Sequence, residues 1–98
     1  MEKVRAYTEE ETRELFLEHV RDLVDYWNAQ KVDRKEAIEG IAFSILTVLD
    51  GSTIALPGFR VSPICPEEDV KYYKKSGKNY YDESIDIAGC LHEHFYKK

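Results

Sequence analysis

A chain of 98 residues with 19 acidic and 14 basic side chains has room for one domain, and its net charge of −5 lacks the concentrated positive excess that a nucleic-acid backbone demands. Its composition, 43% hydrophobic and 34% charged, is globular, and no stretch approaches the roughly 20 apolar residues of a membrane span. The opening Met-Glu-Lys-Val-Arg has no apolar signal core, and two cysteines, Cys65 and Cys90, are too few for a disulfide scaffold. The expectation is a single domain over residues 1–98 in the reducing cytoplasm, with neither a nucleic-acid polymer nor a membrane as partner.

Thr8-Glu9-Glu10-Glu11 places a Thr three residues before a Glu, so that hydroxyl and carboxylate each take an orphaned N–H at a helix start. Phe16, Val20, Leu23, Val24 and Trp27 then recur at three- and four-residue spacing, which predicts an amphipathic helix over about residues 9–30. Asp33-Arg34-Lys35-Glu36 repeats the start signal. The run Ala37, Ile38, Ile41, Ala42, Ile45, Leu46, Val48 and Leu49 covers about half the helical circumference, and Phe43 lies outside even that arc. This second helix is expected to be covered from more than one side and to end at Asp50-Gly51, where Gly takes the left-handed conformation at low cost.

Residues 52–66 hold all three prolines, Pro57, Pro63 and Pro66, which excludes regular helix and leaves short extended pieces around Ile54-Ala55-Leu56 and Phe59-Arg60-Val61. Pro66 opens a short helix with Glu67, Glu68 and Asp69 in its first turn, ending near Ser76-Gly77. Asn79-Tyr80-Tyr81 reads as extended, and a last helix is expected over about Asp86–Tyr96, with Gly89 as its weak point. The predicted fold class is α+β and predominantly α: two long packed helices, a proline-rich middle and two shorter C-terminal helices.

Four features bear on chemistry. Lys71, Lys74 and Lys75 share a helical face that Lys78 extends, and Tyr80 and Tyr81 stand beside them. Ammonium groups attract phosphate and aromatic faces stack on bases, so this segment, with Arg60 as a bidentate contact, is the candidate site for a small anionic or nucleotide ligand. The plainer alternative is a solvated lysine face over packed tyrosines. Cys90 and His94, four apart, offer two ligands of zinc spacing, weak candidates because a structural site needs four, and His92 points elsewhere. Cys65 and Cys90 are candidate nucleophiles only if a cation or helix terminus lowers their pKa, and inert thiols are far commoner. Finally, so short a chain leaves much apolar surface uncovered, with Leu15, Tyr26 and Phe43 off the main stripes, which points to self-association as a dimer or higher oligomer, or equally to a monomer whose loop over residues 52–66 folds across the second helix.

The string Gly40-Ile41-Ala42-Phe43-Ser44-Ile45-Leu46-Thr47-Val48-Leu49-Asp50-Gly51, then Leu56-Pro57-Gly58-Phe59, Pro63 and Pro66, and then Asp86 through Tyr96, resembles a family of small uncharacterised bacterial and phage-associated proteins. The resemblance covers most of the chain beyond the first helix and implies a complete small protein in a mobile-element context, with no catalytic residues to carry over. The leading expectation is a non-enzymatic, self-associating binding protein without cofactor, acting on a protein or small ligand. Second stands a pocket for a phosphorylated or nucleotide ligand at residues 71–81, and third a metal- or thiol-dependent enzyme.

Overall fold

The computed structural model describes residues 4–97, which form four helices: α1 (Glu9–Ala29), α2 (Arg34–Leu49), α3 (Glu67–Lys75) and α4 (Leu91–His94). No strand forms among the described residues, so the architecture is predominantly helical and the β part of the expected α+β mixture is not seen. No helix is long and apolar enough to cross a membrane among these residues. The chain divides into two compact units, one running through Thr47 and the other from Val48, in the last turn of α2.

In the first unit both start signals open helices, the first as a full capping box and the second through the Asp33 carboxylate. The Glu11 N–H donates to Thr8 Oγ1 at 3.1 Å while the Thr8 N–H donates to Glu11 Oε1 at 2.9 Å, and Asp33 Oδ1 accepts from the Glu36 N–H at 2.8 Å. Arg5 adds a two-pronged contact to Glu11, at 2.8 and 3.0 Å, and this guanidinium, with the Thr8 N–H, draws the Glu11 carboxyl down to about 2. The helices are joined by a contact the stripe pattern does not contain. Trp27 lies against Gly40, where an added Cβ would come within 2.6 Å of the indole ring, and its Nε1–H donates to Ser44 Oγ at 3.0 Å. Glycine in a helix interior costs about 1 kcal/mol against alanine, and here it makes room for the largest side chain in the chain. Burial is thin all the same: α1 has no buried residue, and residues 41–47 of α2 are all half-buried.

The second unit is built mainly of irregular chain around Val48 and Cys65, its buried apolar residues. Residues 52–66 hold neither helix nor strand; the pieces expected to be extended are instead tied singly, Phe59 N–H to the Leu49 carbonyl at 3.1 Å and Ile87 N–H to the Val61 carbonyl at 2.8 Å. Gly51 (φ +77°) and Gly58 meet closely enough that a Cβ on Gly51 would stand 2.9 Å from Gly58 Cα. Pro66 stands at the N-cap of α3, one residue before the first helical position expected for it and without a side-chain cap, and α3 closes in a Schellman motif, Lys78 N–H to the Tyr73 carbonyl at 2.9 Å and Gly77 N–H to the Lys74 carbonyl at 3.1 Å.

The last helix corrects the sequence reading, for α4 is one turn rather than a run from Asp86. Asp86 Oδ1 accepts from the Val61 and Ala88 N–H groups at 2.8 and 3.0 Å, which bends residues 86–88 away from helix, and Gly89 at φ +119° completes the break.

Candidate functional site

Of the proposed ligand segment, Lys71, Lys74 and Lys75 lie together on α3. Lys71 pairs with Glu67 at 3.6 Å on its own helix, while Lys78 lies beyond the α3 terminus, past Gly77. Lys74 Nζ stands 5.3 Å over the Tyr80 ring, a cation–π contact that joins two of the predicted residues to each other. Lys75 is exposed, and Arg60 contributes to holding the Asp86 carboxyl below its ordinary value, behind the larger effect of the Val61 and Ala88 N–H groups. Tyr80 and Tyr81 line a concavity of about 590 Å³, but its polar wall is Asp82, Glu83 and Ser84, with Cys65 and Val70 completing it and no lysine. That wall suits an anion poorly.

Of the candidate metal and thiol residues, Cys90 and His94 stay one turn apart, the His94 N–H donating to the Cys90 carbonyl at 3.2 Å. Cys90 is the exposed N-cap of α4 and His94 its last residue, and no group of three His, Cys, Asp or Glu side chains gathers as metal ligands among the described residues. Cys65 is buried, with its backbone N–H donating to Glu83 Oε1 at 2.5 Å.

Asp50 and His92 form a constellation that residue spacing could not reveal. Asp50 has a side chain with no solvent exposure; its Oδ1 accepts from the Gly89 N–H at 2.6 Å, and its Oδ2 from the His92 N–H at 2.8 Å and from His92 Nδ1 at 2.5 Å. Burial alone pushes such a carboxyl up, yet the His92 and Gly89 donors prevail and hold it at about 2. An ionised carboxylate only accepts, so His92 Nδ1 carries the proton. The carboxylate does for α4 what its own Cys90 does not, capping it from the far end of α2. One signal for this was present: an acid at a helix C-terminus opposes the helix dipole, which marks Asp50 as a residue held by donors elsewhere. An oriented imidazole is half of a general-base pair, but neither the Tyr80–Tyr81 concavity nor the one between α1 and α2 is lined by Asp50 or His92.

That other concavity lies within the first unit, at the end where α1 passes into α2. It encloses about 430 Å³ over an apolar floor of Val24, Trp27, Val32, Ala37, Ile38 and Ile41. Asp25, Asn28, Gln30 and Arg34 form its rim. Ile38 is 59% exposed and Val24 45%, high for aliphatic side chains on a predicted core face. The stripe pattern placed Val24, Trp27, Ile38 and Ile41 inside; it could not show that a two-helix unit leaves them half covered. Comparisons with family models, with curated proteins and with solved structures give no match.

Proposed function

We propose that the chain is a non-enzymatic binding protein that acts on a protein partner through the apolar groove of its first unit. The observation that carries this reading is the groove itself: an aliphatic and indole floor under a polar rim, with Ile38 and Val24 left in solvent. Exposed apolar surface rimmed by polar groups marks protein contact surfaces, and aromatic anchors such as Trp27 supply most of the energy at them. The two unpaired cysteines and the absence of a long apolar helix among the described residues accord with a cytoplasmic setting, which belongs to the same proposal.

The test uses the chain's single tryptophan, which stands in the groove. An environment-sensitive apolar dye binds the native protein and takes energy from Trp27, and Ile38→Asp, a change at an exposed position, abolishes the transfer while leaving the far-ultraviolet circular dichroism intact. Native protein that binds no dye when diluted below the concentration at which it self-associates contradicts the reading. A small anionic or nucleotide ligand at Lys71, Lys74, Lys75, Lys78, Tyr80, Tyr81 and Arg60 is the second reading, supported by the Lys74–Tyr80 contact. A salt-sensitive rise in melting temperature with nucleotides, lost in Lys74→Glu/Lys75→Glu, would place it first, because a ligand of the folded state raises apparent stability.

A further inference from the structure

The rim of the groove carries one acid and one base, Asp25 near the end of α1 and Arg34 at the start of α2, and neither enters an ion pair among the described residues, where five other acids are paired with Arg or Lys. A two-fold axis sets a patch against itself, so that residue i meets residue j and j meets i. A patch with an apolar floor and one unpaired charge of each sign is complementary to its own copy in that arrangement, whereas two copies of a patch with a single sign would repel. Ile38 and Val24 in that lining also keep much of their apolar surface in solvent, free to be covered by a second copy.

We propose that the groove is the interface of a two-fold dimer of this chain, with Asp25 of each copy facing Arg34 of the other and Ile38 and Val24 seated in the opposing floor. This rests on the groove being a contact surface and adds that its occupant is a second copy. The interface buries Trp27, so dimer formation shifts the tryptophan emission to the blue as concentration rises.

Charge reversal distinguishes this geometry from any other. Asp25→Arg makes both cross-axis pairs arginine with arginine, and Arg34→Asp makes both aspartate with aspartate. Each variant alone associates at least about tenfold more weakly than wild type by sedimentation equilibrium at low salt, as expected for two repulsive rim pairs. Mixed in equal amounts they regain wild-type association as a heterodimer. On one side of its axis the introduced arginine faces the introduced aspartate, and on the other the native Asp25 faces the native Arg34. Both positions are exposed, and circular dichroism confirms that each variant is folded. Wild type that remains monomeric through the micromolar range overturns the dimer. If the dye still reports a groove sensitive to Ile38→Asp, only the identity of the occupant has failed; if it does not, the groove reading falls as well. Single variants that dimerise as wild type, or a mixture that does not recover, overturn the two-fold pairing.

Discussion

Replacing Asp50 by Asn tests how the second unit is held. The carboxylate accepts three hydrogen bonds on two oxygens, the Gly89 N–H on Oδ1 and the His92 N–H and Nδ1–H on Oδ2. An amide keeps one oxygen and turns its NH₂ on the donors that faced the other, so at least one charge-assisted bond is lost and a donor is set against a donor. Hydrogen bonds to charged groups contribute about 1.5–3 kcal/mol each, so Asp50→Asn destabilises by about 2–4 kcal/mol. For a domain of this size about 1 kcal/mol moves Tm by about 4–8 °C, giving a fall of about 8–32 °C. Because Trp27 belongs to the first unit, the assay is urea unfolding followed by circular dichroism together with the labelling rate of the buried Cys65 thiol in the second. A change under about 0.5 kcal/mol, the range of ordinary surface substitutions, refutes the account.

The same carboxylate gives a pH dependence of known sign. Its folded pKa of about 2 lies below the ordinary 3.8, so its stabilisation is present above 3.8 and is lost as pH falls towards 2; Asp50→Asn should remove that part of the acid slope while leaving the share due to Glu11, also near 2. Gly40→Ala drives a Cβ into the Trp27 ring and, despite alanine's better helix propensity, destabilises by about 1–3 kcal/mol, seen as a red-shifted Trp27 emission and a lower urea midpoint. Thr8→Ala removes one side of the α1 capping box and costs about 1 kcal/mol, measured by thermal melting. In native protein Cys90 should react with iodoacetamide and Cys65 should not until unfolding, which mass spectrometry of timed samples resolves.

Helices α1 to α3 were legible because their signals are local: a capping residue three before an acid, stripes at 3.6 spacing, a proline at the entry and a glycine at the exit. The last helix was misread for the converse reason. Its residues carry an adequate pattern, but Val61 lies 25 residues from Asp86 and Asp50 lies 42 from His92, and these distant partners settle the backbone. Asp50-Gly51, Gly58-Phe59 and Gly89 to His92, separate in the sequence, are parts of one hydrogen-bonded and close-packed assembly. The groove was half legible: its apolar residues were named from periodicity, while their exposure depends on how little a pair of helices can cover.

Two helices with apolar stripes at similar spacing can slide past each other by one turn, about 5.4 Å, and still bury comparable surface. Gly40 and Ser44, one turn apart on the same side of α2, remove that degeneracy. Only one axial setting of α1 drops the indole into the space above Gly40 and brings its N–H to the Ser44 hydroxyl. A shift by a turn presents Glu36 or Ser44 under the ring instead of glycine. The hairpin therefore has a single notch, and the spacing between Asp25 and Arg34 on its outer rim is inherited from it.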